Sequence, residues 1–532
     1  MASYLLSECL EIIFLNLTEY PSSYITINVS TKDLHSCTLV SRHWCKISTP
    51  FLYAYPFHHF RSKFSQTQYY KLIRTLLGCI PQFEIKQTKR TYKQDVQSDS
   101  LSTFNYISFI RGLIFHEMIF KPEMICDYSN KEIWLAEYNP EEISNNSTIS
   151  IMNHLIKFIC KHCDNLSILE FSSGMKNDNN LIKLLTSNDS NGKNKLNKLK
   201  ELYYYNVDYR SVDNLYLTSL DNVCNLKLFY LFNGKINTIE KTHSLSQFIS
   251  SQKNLQHVIL SAGGEQIDDL DQNIGNIGAV RIFMNLLSKA GKPYYVNNFI
   301  NSLSTQSESL QVLEFRCLAT KLIDNEVLNS LNSLKNIREL KFYKCENIDD
   351  FYLWIKGLKK LEAFEITMGH SKISEINLIQ LTQSFPSQLN KLIIIDDYSK
   401  SNFTQLFQQI PLYLHSLTHL VLPKIFLSEL LSILKSCTEL IYLGVILANE
   451  LQEENLINLG ESVPKTLRRI KFKRIQSIIS MELLNYFLEA YAINGGTLKY
   501  LELDYCNNYN GNYSKVNEQH GIQIIEYYDS VI

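Results

Sequence analysis

Long apolar runs are missing from this 532-residue chain: no stretch approaches the length of uninterrupted hydrophobic residues that spans a bilayer. No membrane-spanning helix is therefore expected. A basic segment ahead of the first apolar run is also missing, since Glu8 and Glu11 sit inside that run, so no secretory leader is expected. Asn-x-Ser/Thr triplets such as Asn402-Phe403-Thr404 then read as chance. Neither sign of charge is in excess. The 52 Lys and Arg residues against 53 Asp and Glu leave a net charge of -1, which implies no general attraction to nucleic acid or acidic membranes. Twelve cysteines are scattered without a dense framework, as suits a reducing cytoplasm or nucleus. With 45% apolar residues the chain has enough to fold, and at this length it exceeds one ordinary core, so several domains or a repeat array are expected.

The first fifty residues carry two short apolar segments. Leu6, Leu10, Ile13 and Leu17 are spaced four, three and four apart, which places them on one helical stripe that Cys9 and Phe14 widen. Val40, Trp44, Ile47 and Phe51 repeat the spacing on a second helix, with Thr31 or Asp33 as its N-cap and Pro50 near its end. Helices this short need one another to form a core, and any apolar face left over needs a partner or the rest of the chain. Leu5-Leu6-Ser7-Glu8, then Leu34, then Val40-Ser41-Arg42-His43-Trp44, resemble the F-box, with leucine where that family has its opening proline and a longer segment, residues 18–30, between the two parts.

That resemblance implies a docking module. Leu5, Leu6, Glu8, Cys9, Leu10, Ile13, Phe14, Leu17, Leu34, Val40 and Trp44 would contact a small Skp-type adaptor, which links the chain to a cullin-RING ubiquitin ligase core. The rest of the chain would then read an unidentified target protein.

From residue 165 onward one pattern returns, Leu-x-x-Leu-x-Leu with apolar substitutions. Its twelve copies start at Leu166, Leu199, Leu226, Leu255, Leu310, Ile337, Leu361, Leu389, Leu417, Leu440, Leu467 and Leu498. Most steps lie in the twenties, and the single long step, between Leu255 and Leu310, hides a degraded repeat or an insertion. The pattern resembles leucine-rich repeats, down to Cys345 and Cys506 at the ninth position of two copies. It implies an α/β solenoid, a horseshoe with a parallel sheet on its concave side, preceded by a small all-α F-box. Amphipathic stretches such as Leu427-Leu430-Leu431-Leu434 would be the intervening helices. The expected division is 1–55 as the F-box-like part, 56–150 as a helical connector with an irregular capping repeat around Ile107, Phe109 and Leu113, and 151–532 as the solenoid. Residues 86–103 and 139–150 are expected as loops.

Catalytic constellations are weak. Cys160-Lys161-His162-Cys163, with His154 nearby, lacks the second pair a structural zinc wants, and packing at a helix end explains it better. The acidic pairs Asp268-Asp269, Asp349-Asp350 and Asp396-Asp397 fall where Asp caps helices and turns, and Gly263-Gly264 lacks the tail of a phosphate loop. No enzyme, metal or cofactor is expected. Strand alternation instead points Tyr203 and Tyr205 out of the concave face beside Tyr230 and Phe232, as a candidate target-binding patch. A second candidate is Arg469, Lys471 and Lys473, which lie beside Glu502 and Asp504 and can equally pair with them. The resulting expectation is a substrate receptor of a Skp–cullin–F-box ubiquitin ligase in the cytoplasm or nucleus. The alternative is a leucine-rich-repeat scaffold or inhibitor unconnected with ubiquitination.

Overall fold

The computed structural model describes residues 5–17, 31–60, 66–80, 104–115, 145–171, 184–185, 195–205, 223, 225–229, 246–261, 294–316, 318, 325–345, 348, 351–368, 373–396, 403–448, 452–472, 481–504 and 520–527. The chain forms two compact units, Met1–Leu228 with Ser251–Asn254, and Phe229–Ser250 with Leu255–Ile532.

The first unit begins with helices α1 (Ser7–Leu17), α2 (Thr31–Thr38) and α3 (Arg42–Leu52). Leu10, Phe14 and Leu34 are fully buried at their centre, and Leu17, Cys37, Trp44, Ile47 and Phe51 pack around them. The Phe14 ring meets Trp44 edge-on at 5.6 Å and Phe51 at 5.9 Å. The second apolar segment is not one helix. Val40 lies in the turn between α2 and α3, and Ser41 caps α3 by accepting the Trp44 amide (3.2 Å).

After α4 (Gln66–Leu77) and a 3-10 turn (Tyr106–Phe109) comes β1 (Gly112–Phe115), so the irregular first repeat expected around Leu113 is a strand. Helix α5 (Asn145–His162), β2 (Ile168–Phe171) and β3 (Glu201–Tyr205) follow, then β4 (Asn225–Phe229). Strands β1, β2 and β3 are parallel, with Gly112 opposite Ile168 and Ile168 opposite Glu201. Two expectations need correction here. The Asn/Ser cluster at 145–150 opens α5 and is not a loop, in keeping with the preference of these residues for helix starts. A boundary at 150 therefore cuts a helix.

The second unit alternates strand and helix: β5 (His257–Ser261), α6 (Tyr294–Leu303), β6 (Val312–Arg316), α7 (Asn325–Leu331), β7 (Glu339–Tyr343), α8 (Phe351–Ile355), β8 (Ala363–Met368), α9 (Glu375–Ser384) and β9 (Lys391–Asp396). It continues with α10 (Thr404–Tyr413), β10 (His419–Ile425), α11 (Leu427–Ser436), β11 (Tyr442–Leu447), α12 (Glu453–Ser462), β12 (Arg469–Phe472), α13 (Met481–Ile493), β13 (Tyr500–Asp504) and β14 (Gln523–Tyr527). Each strand from β5 to β14 pairs in parallel with the next. The strand leucines of the repeat pattern stack in register: Leu313, Leu340, Phe364, Leu392, Leu420, Leu443, Ile470 and Leu501 stand side by side, each at most 1% exposed.

A second ladder runs along the strand entrances. The Asn390 carbonyl accepts from the amides of Thr418 (2.8 Å) and His419 (3.0 Å), and the Thr418 carbonyl from those of Ile441 (2.8 Å) and Tyr442 (3.0 Å). The same two-amide pattern holds in the first unit, from Arg111 to Ser167 and Ile168, and from Ser167 to Lys200 and Glu201. There its first rung is Ala54, just beyond α3, whose carbonyl takes Arg111 N (2.8 Å) and Gly112 N (3.0 Å). The helical segment thus covers the entrance of an otherwise open edge strand. Gly112 is required for this, since a Cβ there would lie 2.5 Å from the Tyr55 ring.

All twelve copies of the pattern coincide with strands β2 to β13, so the chain is an α/β leucine-rich-repeat solenoid. Part of the long step is α6; residues 262–293, and with them Asp268-Asp269 and Gly263-Gly264, lie outside the described residues, as do residues 86–103, Asp349-Asp350, Asp397 and Cys506.

Three buried thiols close gaps between neighbouring repeats. Cys163 donates to the Ile110 carbonyl (3.4 Å), Cys345 to Phe315 (3.2 Å) and Cys437 to Leu414 (3.3 Å). Burial pushes the Cys437 thiol from 9.0 up to about 12. Its contribution to stability is therefore present below pH 9 and falls away as pH rises from 9 toward 12, where the unfolded thiol ionises and the folded one holds its proton. Alkylation at pH 8 followed by peptide mapping should label exposed Cys9 in the folded protein and reach Cys163, Cys345 and Cys437 only after denaturation. Gly460 supplies a second check. A Cβ there would meet the Phe487 carbonyl oxygen at 2.5 Å, because α12 packs directly on the α13 backbone. Gly460→Ala should cost about 1–3 kcal/mol in chemical denaturation despite the better helix propensity of alanine.

Candidate protein-binding surfaces

The N-terminal helices divide the expected docking residues into two sets. Leu10, Phe14 and Leu34 are 0% exposed and belong to the interior, so they are withdrawn from any docking face; Trp44 and Leu17 are half-buried against them. Leu5, Leu6, Glu8, Cys9, Ile13 and Val40 are exposed, and so are Ile12, Leu15 and Leu39, which the spacing argument did not single out. The reason is geometric: a helix this short buries one narrow stripe, and the stripe runs through Leu10 and Phe14 instead of Leu6 and Ile13. His43 Nε2 donates to the Leu5 carbonyl (3.3 Å), which holds the chain entering α1 beside the first turn of α3. Since Leu39 and Val40 immediately precede α3, this contact gathers Leu5, Leu6, Leu39 and Val40 at one end of the helical cluster.

On the sheet of the first unit, Tyr203 is half-buried and its hydroxyl donates to Glu201 Oε2 (2.5 Å). Tyr205 ends β3, while Tyr230 and Phe232 lie outside the described residues, so the four-ring patch is not assembled by the described geometry. The neighbouring strand row is already filled by Ile114 and Glu170, both buried. A cavity of about 620 Å³ opens in this unit, lined by Tyr55, Phe109, Arg111, Lys198, Lys200 and Glu201 among others, with Lys198 Nζ donating to Asn165 Oδ1 (2.6 Å).

The cationic candidate in the second unit is built as a cluster. Arg469 and Lys471 both bind the Glu502 carboxylate, Lys471 at 3.7 Å, and the Glu502 side chain is only 2% exposed. Lys473 lies outside the described residues. Mutual pairing, weighed from the sequence as equal to ligand binding, is thus realised for Arg469 and Lys471. What sequence reasoning missed is the company Arg469 keeps: its guanidinium stands 5.7 Å from the Tyr442 ring and 5.8 Å from the Tyr500 ring, and Tyr442 stacks on His419 at 6.1 Å. The signal was available, because all four residues occupy the third position of consecutive repeats. Burial, and then Lys391, lower the His419 pKa, so this imidazole stays neutral further into acid than an ordinary histidine.

Cys160 and Cys163 are buried, His162 packs on the Phe158 ring (4.3 Å), and Cys163 is engaged with Ile110 as described above. Asp396, the described member of the third acidic pair, is a buried strand end. Among the described residues no helix is long and apolar enough to cross a membrane, and no group of three His, Cys, Asp or Glu could hold a metal ion.

No protein-family model matches the sequence, and no curated protein matches it. Among solved structures the chain is similar to the leucine-rich repeat-containing protein LegL7 from Legionella pneumophila, at 14% identity over 60% of this chain and 87% of that one, with a TM-score of 0.34. It is similar to a protein from Bacteroides fragilis at 10% identity over 48% and 67% of the two chains, with a TM-score of 0.30. It is also similar to a chain of the Drosophila Toll–Spätzle complex at 12% identity over 69% and 43%, with a TM-score of 0.31. The assignment as a leucine-rich-repeat solenoid stands on this chain's own structure, in which every copy of the sequence pattern forms a strand.

Proposed function

We propose that this chain is the substrate-recognition subunit of a Skp–cullin–F-box ubiquitin ligase, with the N-terminal helices gripping a Skp-type adaptor and the repeats holding a target protein. The observation that carries the reading is the outward apolar face of the first forty residues. Leu5, Leu6, Ile12, Ile13, Leu15, Leu39 and Val40 are exposed there, seven large hydrophobics in a short segment, against nine in all the rest of the described chain. The helices' own interior is already closed by Leu10, Phe14 and Leu34, so the side chains of these residues lie outside it. An apolar face of this kind on a folded protein marks a partner surface. The F-box resemblance of the same residues names the partner. In such an assembly the chemistry belongs to other subunits, and this chain contributes proximity alone.

Mixed with a purified Skp-type adaptor, the full chain should co-elute with it on gel filtration. Replacing Leu6, Ile13 and Val40 by Asp should abolish co-elution, since central apolar anchors are worth about 2 kcal/mol or more each. The thermal transition should stay in place, because these side chains are exposed. Wild-type co-elution of the triple variant would refute the assigned face. Capture of a target without adaptor or cullin would make the chain a leucine-rich-repeat scaffold or inhibitor instead.

A further inference from the structure

Four consecutive strands of the second unit carry His419, Tyr442, Arg469 and Tyr500 at one register position. Parallel strands lie about 4.8 Å apart, a spacing that lets flat side chains standing at one register position touch from strand to strand. His419 and Tyr442 stack with ring planes 27° apart, and Arg469 stands between the two tyrosines. Lys391 extends the row at the same register position on β9. Among the described ion pairs Arg469 and Lys471 share the buried carboxylate of Glu502, and Lys391 stands at the β9 end of the row. The patch is cationic on a chain whose net charge is -1.

We propose that this ribbon is a recognition surface for an acidic segment of a partner protein, whose carboxylates settle over Lys391, Arg469 and Lys471 while its remaining groups lie against Tyr442 and Tyr500. Tyrosine and arginine are the residues that dominate binding energy at protein interfaces. The Glu502 carboxylate, on the same face of the sheet and covered by the two basic groups, holds Arg469 in place, so less order has to be imposed when a partner arrives. Nucleic acid fits less well, because three cations over a few strands neutralise little of an extended phosphate backbone. The inference rests on the protein-binding half of the function proposed above and makes no use of the adaptor face.

The test is fluorescence anisotropy on the full chain with a fluorescein-labelled oligoglutamate peptide, alongside an oligolysine peptide and a single-stranded oligonucleotide. Oligoglutamate should bind, more weakly as salt rises, and the other two should not. Lys391→Glu should weaken it about tenfold. The double variant Arg469→Gln/Glu502→Gln should act in the same direction, since it removes both charges together and leaves no buried carboxylate unpaired. Reversing an exposed cation elsewhere in the unit, Lys356→Glu, should change nothing. Melting curves check that each variant is folded, and adaptor co-elution of the same variants should remain wild-type, which separates failure here from failure of the docking proposal. No binding of oligoglutamate to the wild type would overturn the proposal. So would unchanged affinity in folded Lys391→Glu, an equal loss in Lys356→Glu, or tighter binding of the oligonucleotide at the same residues.

Discussion

Within each unit, the structure depends on one backbone arrangement: the strand-entrance carbonyl that accepts two successive amides of the following repeat, repeated from β1 to β3 and from β5 to β13. This rung, together with the parallel pairing beyond it, sets every repeat at the same height as its neighbour. Register then places Leu313, Leu340, Leu392 and their equivalents side by side, and their burial supplies most of the stabilisation. In the first unit Ala54 supplies the opening rung, so the helices that precede the sheet are bonded into the ladder and do not hang from a linker. Tyr55 lies against Gly112 at the same place, which ties side-chain packing to the backbone contact.

The same constraint frees the opposite face. Once the inward positions are committed to leucine, isoleucine and phenylalanine, the outward positions contribute little to stacking and can carry chemistry. In the second unit they carry a row of rings and cations over β10 to β13, with Glu502 buried beneath two basic groups. A buried carboxylate held by two cations is costly to assemble for stability alone. Its position under a stacked arginine makes sense as preparation of a surface.

The repeats were legible in the sequence because their signal is local and recurrent: twelve copies of a six-residue pattern, each a strand. Strand β14 was not, since Gly521 and Glu526 occupy the first and sixth positions of its copy, and only Ile524, opposite Leu501, keeps the pattern. The helical division near Val40 was also missed. Spacing alone reads Val40, Trp44, Ile47 and Phe51 as one helix, but Ser41 accepts the Trp44 amide and starts a new one. Which face of α1 is interior could not be read either, because Leu6, Leu10, Ile13 and Phe14 are equally apolar and only the packing of Leu34, Trp44 and Phe51 selects Leu10 and Phe14. The ribbon escaped because its four members are of three residue types with nothing in common but a register position.

The central claim is that the exposed face of the N-terminal helices is a docking surface distinct from the repeats. Hydrogen–deuterium exchange of the full chain, with and without a purified Skp-type adaptor, tests it most directly. The account predicts added protection within residues 5–17 and 31–52 and unchanged exchange in strands β5 to β14. Protection confined to the repeat strands, or none anywhere at saturating adaptor, would contradict it.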